Sequence, residues 1–463
     1  MSDKKFDIII VGAGPSGIFA AYELINSNKN LKILMIEKGR PIERRICPKR
    51  KTGVCVNCKP CSITSGLAGG GAFSDGKLSL SSDIGNSLDE LLTKDEINKL
   101  IKDADDIYLK FGAPGTIYGI NKAEEIEKIR KKAIQSNLKL IECPIRHLGT
   151  DGGYEVYNKL EKYLLDNNIK ILFNTMVEDL IIDNNKISGV ITKNDKFFAD
   201  KVIAGVGREG ADWFVDICRK HNIKSQVGTV DIGVRVECRN EIMKELNEAM
   251  YEAKLIYTTP TFQDKVRTFC TNPSGEVSIE VYEDGLLTVN GHSYKDEKLR
   301  TENTNFALLV SKNFTEPFNE PIKYGKSIAR LANMLTGGKA LVQTFGDFKK
   351  GQRTTETRLY KGNVIPTLKD AVSGDLSLAL PYRIMKDIEE MLYALDNISP
   401  GIANDETLLY GVEVKFYSNK AIINKNFETS ISGLYAIGDG SGWTRGLLSA
   451  SGEGLGVARK ILL

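Results

Sequence analysis

The first strongly patterned stretch is a short apolar run, Ile8-Ile9-Ile10-Val11, that reads as a buried parallel strand. It breaks into Gly12-Ala13-Gly14-Pro15-Ser16-Gly17, and IFAAYELINS then spaces its apolar residues as an amphipathic helix does. A second strand covers Lys32 to Ile36. Gly152-Gly153-Tyr154 opens a helix (YEVYNKLEKYLLDNN) that runs into the strand Ile169 to Phe173, the βα alternation of a doubly wound sheet. Between these pieces lies a charged stretch with helices predicted over Lys94–Lys110 and Lys122–Ala133. Beyond residue 212, GVRVECR, EVSIEVYEDGLLTVNG, ALVQTFGDF and VEVKFYS alternate with period two, as in an antiparallel sheet, with helices near 326–335 and 383–394. The chain closes with a strand (Leu434 to Ile437), Gly438-Asp439-Gly440, a glycine-rich turn and a last helix.

The strand–glycine turn–helix order at the start is the context a dinucleotide fingerprint needs. Gly12 makes the tight turn and Gly14 lets the backbone approach a pyrophosphate. Gly17 lets helix and strand pack closely, and the helix N-terminus beginning at Pro15 and Ser16 points its N–H groups at the anion. Glu37, 25 positions after Gly12 at the end of the second strand, is placed to accept from ribose hydroxyls, with Lys38 beside it.

The terminal stretch GLYAIGDGSGWTRGLLSASGEGLGVA resembles the second flavin signature of the glutathione-reductase-like FAD superfamily. The resemblance implies that Asp439 holds the ribityl chain of FAD. It also implies that backbone groups near Leu447 and Leu448 face the flavin pyrimidine, where a helix dipole favours negative charge. A β-meander that opens at Val177 and closes in Val202-Ile203-Ala204-Gly205-Val206-Gly207 is similar to the superfamily's "ATG" strand, which adds Val177 and Gly205 to the implied cofactor contacts. A Rossmann domain for NAD accounts for the first motif but not for the other two.

The expected fold is therefore α/β. A discontinuous Rossmann-like FAD-binding domain with a parallel sheet and β-meander is expected from residues 1–84, 150–211 and 428–463. A helical insertion is expected over 85–149, and a second α+β domain with an antiparallel sheet over 212–427.

Composition excludes more than it assigns. With 463 residues and 41% hydrophobic content the chain can bury a large core. A net charge of +3 demands neither nucleic acid nor an acidic membrane. No apolar run approaches the roughly 18 residues of a transmembrane helix, and the first apolar run is already the Rossmann strand rather than a secretory segment. Eight cysteines in such a chain argue for metal or redox chemistry, and a cytoplasmic location is expected.

Four of those cysteines, Cys47, Cys55, Cys58 and Cys61, fall within 15 residues as C-x7-C-x2-C-x2-C. This spacing resembles ferredoxin segments that hold an iron–sulfur cubane, and Pro48 follows Cys47 as in the ferredoxin C-P pair. Zinc also takes four thiolates, but its usual knuckles are two separated C-x2-C pairs; free surface thiols are the third reading. Neighbouring basic residues, Arg45 among them, suit thiolates, the FAD pyrophosphate or an acidic electron-transfer partner, or else belong to a solvated loop.

The run Gly66-Leu67-Ala68-Gly69-Gly70-Gly71-Ala72-Phe73-Ser74-Asp75-Gly76-Lys77 follows at once, and so many glycines suit backbone pressed on a flat ligand at Gly71. With HLGTD, GREGADW, DIGVRVE and TVNGHS, it makes the chain similar to a family of FAD-dependent dehydrogenases marked by a "GGAGAFSDGKL"-type loop. The resemblance spans almost the whole chain, which departs from many relatives in starting directly at the Rossmann strand. Lys77, Asp75 and Ser74 are the candidate catalytic groups. A lysine near the flavin stabilises the reduced anion, and Asp75 pairs with it or moves a proton; the alternative is a turn built on Asp75-Gly76. His147 precedes a turn into a helix and is a weaker cofactor candidate, while Cys143, Cys218, Cys238 and Cys270 read as small buried residues.

The expected activity is an FAD-dependent oxidoreductase that exchanges electrons between a small organic substrate and a carrier. The iron–sulfur centre is the expected link, with zinc as the alternative, and NAD(P)H or a ferredoxin-like protein the expected carrier. An FAD monooxygenase and a non-catalytic flavoprotein or electron carrier are the competing readings.

Overall fold

A strand of unbroken apolar residues must be covered on both faces, and all four residues of Ile8–Val11 are buried. The computed structural model describes residues 4–463 except 28, 49–55, 57, 75, 283, 284, 295, 296, 316, 319 and 418, and no side chain is described at 150. Two compact units emerge. The first comprises Met1–Ile117, Ile145–Gly228 and Ser418–Leu463; the second comprises Tyr118–Pro144 and Thr229–Tyr417.

The first unit is built on a five-stranded parallel sheet. Its order is Leu434–Ala436, Lys201–Ala204, Ile8–Val11, Ile33–Ile36, Lys170–Leu172. An antiparallel meander of Val177–Asp183, Lys186–Thr192 and Lys196–Phe198 accompanies it. The helix Pro15–Ile25 lies against the terminal helix Leu447–Leu462 so closely that a Cβ on Gly454 would stand 2.2 Å from the Ser16 carbonyl oxygen. On its other side the terminal helix meets Leu100 of the helix Lys94–Lys110, where Cβ atoms on Gly452 and Gly456 would stand 3.3 and 3.2 Å away. These contacts explain why the terminal helix is rich in small residues. The helix Lys94–Lys110 starts as expected, on a capping box in which Thr93 and Glu96 satisfy each other's backbone N–H.

Within the stretch 85–149, expected as one helical insertion, the two helices serve different cores. Helix Lys94–Lys110 carries Leu100, Ile101, Ala104 and Tyr108 into the core of the first unit. Helix Ala123–Gln135 instead buries Ile126, Ile129 and Ala133 in the second. Each helix has an apolar stripe, and the stripes go to different cores.

The second unit centres on an eight-stranded sheet ordered Val372–Ser373, Leu341–Thr344, Leu408–Phe416, Val230–Arg239, Asn303–Lys312, Lys265–Asn272, Lys254–Thr258, Leu138–Ile141. All neighbours are antiparallel except the first pair. Val230, Ile232, Val234 and Val236 enter an apolar core with the helix Tyr382–Asp396. The alternate residues Asp231, Arg235 and Glu237 are buried as well, on the opposite face. There Arg235 donates to Asn305 Oδ1 (2.8 Å) and the Cys270 carbonyl (2.7 Å) and stands 3.4 Å from Glu413. Glu237 accepts from Tyr410 (2.5 Å) and Thr367. The hairpin Glu276–Val281/Leu287–His292 contributes Gly291, where a Cβ would stand 1.8 Å from Arg235 Nη2. Gly291 of TVNGHS thus packs directly on Arg235 of DIGVRVE, while Val289 of the same hairpin joins an apolar cluster. Among the described residues, no helix is long and apolar enough to cross a membrane.

Candidate cofactor site

The site of the first unit grows from the carboxyl ends of three neighbouring parallel strands. At Val11 the chain turns through Gly12, whose φ of +98° favours glycine and whose Cβ would stand 2.7 Å from the Gly205 carbonyl oxygen. A Cβ on Gly17 would stand 2.1 Å from the Gly12 carbonyl oxygen, so the helix begins directly on the turn. Gly14, the N-cap, has open space where its Cβ would be. No side chain caps this helix, and Pro15 takes the first turn, so its free N–H groups face outward as an anion site.

The other two turns lock onto the first. Gly205 N–H donates to the Val11 carbonyl (2.9 Å), and Gly440 N–H donates to the Val206 carbonyl (2.9 Å). A Cβ on Gly438 would stand 2.7 Å from Ser16 Oγ. Three glycine turns from distant parts of the chain therefore share one crevice outside the strand ends, where open α/β sheets bind ligands. Asp439 is half-buried on the last of them, and Arg208 Nη2 stands 3.3 Å from its carboxylate.

The glycine loop joins the same place. A Cβ on Gly71 would stand 2.7 Å from Leu447 Cδ2 and 3.6 Å from Pro15 Cγ, so the loop, the first helix and the terminal helix meet there. Leu447 opens the terminal helix half-buried, and Leu448 is buried. Behind Gly71 runs a chain of buried hydroxyls. Tyr157 OH lies 2.6 Å from Tyr108 OH, which lies 2.9 Å from Ser451 Oγ, and Ser451 donates to the Leu447 carbonyl (2.8 Å). Burial raises both phenols, Tyr108 to about 12.

Glu37 ends its strand as expected, but its carboxylate is buried and already accepts three backbone N–H groups. They come from Ala13 (2.9 Å), Gly39 (2.8 Å) and Gly66 (3.0 Å). Gly39 and Gly66 share Oε1, so only Oε2 keeps a free lone pair; one hydroxyl has room in the count, yet the contact on view pins the glycine turn to the loop. Arg45 also works inward. Its guanidinium donates to the carbonyls of Ser62, Ile63 and Leu67 and lies over the Phe73 ring at 4.8 Å. Burial draws its pKa down to about 10, against the opposing pull of Glu37 and Cys61. Lys38 Nζ donates to the Glu209 carbonyl (3.0 Å). Ser74 Oγ donates to the Gly71 carbonyl (3.1 Å) and accepts from Gly76 N–H (3.2 Å), which closes the loop turn. Lys77 begins the strand Lys77–Ser79 opposite His147, and Val177 is buried at the start of the meander opposite Thr192. Asp75 lies outside the described residues.

Of the cysteine cluster, Cys55 lies outside the described residues, while Cys47, Cys58 and Cys61 are half-buried free thiols. Among the described residues, no three His, Cys, Asp or Glu side chains gather to hold a metal ion. Cys143, Cys218 and Cys238 are buried as expected, and burial pushes the Cys218 thiol up to about 11. Cys270 is half-buried.

Three contributors escape sequence reasoning: Arg208, the hydroxyl chain and Glu453. Glu453 is fully buried within the terminal helix. The signal for it was present, as the one acid in LLSASGEGLGVA, a stretch otherwise small or apolar.

Residues 230–416 match a family model. Its description is "FAD-dependent protein, C-terminal domain-like". An uncharacterized protein of Clostridium beijerinckii is 26% identical over 98% of this chain and 80% of its own length. Among solved structures, L-proline dehydrogenase from P. horikoshii is similar at 14% identity and a TM-score of 0.39, covering 99% of this chain and 93% of that one. Glycine oxidase from Geobacillus kaustophilus is similar at 12% identity and a TM-score of 0.40, covering 99% and 95%.

Proposed function

We propose that this chain is an FAD-dependent oxidoreductase acting on a small organic substrate. The observation that carries this reading is the crevice of three interlocked glycine turns beside an uncapped helix N-terminus. The space left at Gly14 is what a pyrophosphate needs, and the half-exposed Asp439 carboxylate is what ribityl hydroxyls need. The family description of residues 230–416 supports the same cofactor. FAD supplies two-electron chemistry when bound. The chain supplies the rest. The N–H groups after Gly14 hold phosphate, Asp439 orients the ribityl chain, and the N-terminus of the terminal helix at Leu447 offers positive potential to an anion. Lys77, with Ser74 shaping its loop, would supply positive charge to the bound cofactor, and NAD(P)H or a ferredoxin-like protein would be the electron carrier.

An iron–sulfur centre on Cys47, Cys55, Cys58 and Cys61 draws only on their spacing. Among the described residues no three such side chains gather to hold a metal ion.

Absorbance and cofactor extraction of protein purified without oxygen test the assignment. FAD is expected in the native protein, and Asp439→Ala is expected to lose most of it, because a charge-assisted hydrogen bond contributes roughly 1.5–3 kcal/mol. NAD in place of FAD, or full FAD in Asp439→Ala, overturns the reading. Iron, sulfide and zinc assayed on the same preparation decide the cysteine loop.

A further inference from the structure

Glu453 is fully enclosed, yet it reaches the loop that carries Asp439. Its Oε2 accepts from Gly438 N–H (2.7 Å) at one end of residues 438–444 and from Thr444 Oγ1 (2.6 Å) at the other. One carboxyl oxygen therefore sets the span of the loop. The second oxygen, Oε1, is buried with no hydrogen-bond partner. Gly454, the next residue, abuts Ser16 at the N-terminus of the first helix.

The charged groups on the surrounding elements are engaged elsewhere or act on other residues. Asp439 on the loop is paired with Arg208. Asp103 of the helix Lys94–Lys110 and Glu23 of the first helix both pair with Arg459. Among the described residues, neither these groups nor Arg445 on the loop acts on the ionisation of Glu453, which burial raises and the Thr444 and Gly438 bonds lower. An anionic Glu453 would thus be a buried charge with one oxygen unsatisfied and, among the described residues, no cation acting on it, a state that costs several kcal/mol.

We propose that Glu453 is a positioning residue for the cofactor loop 438–444 and that it acts as the neutral acid, so that FAD is held more weakly once it ionises. The proposal rests on the FAD reading above. A pyrophosphate at the first helix brings negative charge to the element that Gly454 touches. FAD and an ionised Glu453 then oppose each other, and linkage makes the effect reciprocal. Burial pushes the carboxyl up to about 8, so the change falls just above neutrality. Because the folded value lies above the unfolded one, the stability Glu453 contributes is complete below about 4.5 and is lost as pH rises through about 8.

The test is the FAD dissociation constant, by fluorescence titration from pH 6 to 10, of native protein and Glu453→Gln. The amide side chain keeps an acceptor for Gly438 and Thr444 but carries no titrating proton. Native protein is expected to bind FAD evenly below pH 7 and to weaken above pH 8 by up to tenfold per pH unit; the variant is expected to stay flat. Thr444→Val removes a donor from the carboxyl and is expected to move the step to higher pH, which serves if Glu453→Gln does not fold. FAD bound by both proteins with the same profile overturns the inference alone. FAD bound by neither at any pH overturns the FAD reading and this inference with it.

Discussion

Two glycines three residues apart have opposite tasks. Gly17 sits where a Cβ would enter the Gly12 carbonyl, whereas Gly14 faces open space with φ −74°, which alanine adopts freely. Gly17→Ala is expected to cost about 1–3 kcal/mol of stability through overpacking against backbone. Gly14→Ala is expected to cost about 1 kcal/mol or less at an N-cap, yet to place a methyl where the phosphate approaches. Thermal melts and FAD titration of both variants separate the roles. A stable Gly14→Ala that binds FAD as the native protein does removes Gly14 from the site. The glycine spacing made this pair legible in the sequence, because each role is local. The work of Glu37 was legible only in part. An acid at the end of the second strand is visible from its neighbours, but the N–H groups of Gly39 and Gly66 reach it through loop closure, which leaves no periodic trace. Arg45 is a similar case, since carbonyl oxygens that gather around a guanidinium carry no sequence signature.

Among the elements, the strand Val230–Arg239 is the most informative. Its alternation of Val and Ile with Asp, Arg and Glu reads as an antiparallel strand, and the sheet it predicts is there. The polar face is nevertheless closed, because Gly291 of the hairpin lies against Arg235. Burial of a polar row depends on a hairpin far along the chain, and period-two patterning reports only that the two faces differ. Arg235 and Glu413 are both fully buried, and Lys415 stands 3.3 Å from Glu413. Arg235→Met removes the guanidinium and leaves Glu413 with Lys415 alone. A loss of about 3–5 kcal/mol is expected in denaturant unfolding. The double change Arg235→Met with Glu413→Gln is expected to recover part of that loss, because the buried carboxylate that loses its guanidinium partner is then gone. Singles that add without coupling in the double-mutant cycle would show the pair to be independent.

For the molecule as a whole, the chain passes between its two units four times, and the crevice residues named above all lie in the first. Each of the three pieces of that unit carries one of the glycine turns. Between 85 and 149 two amphipathic helices of like character serve different cores. Both tryptophans, Trp213 and Trp443, lie in the first unit, so intrinsic tryptophan emission reports its unfolding, while far-UV circular dichroism reports both units. A ligand that binds only the folded state at a hundred times its dissociation constant stabilises it by about 2.7 kcal/mol. For a body of this size that corresponds to a rise of roughly 5–10 °C in the melting midpoint. FAD is therefore expected to raise the tryptophan-monitored midpoint and to leave unmoved any part of the dichroism transition that tryptophan does not follow. Coincident transitions that rise together would mean that the units unfold as one cooperative block. A tryptophan midpoint indifferent to saturating FAD would remove the cofactor from the first unit, and with it the role assigned to the glycine turns.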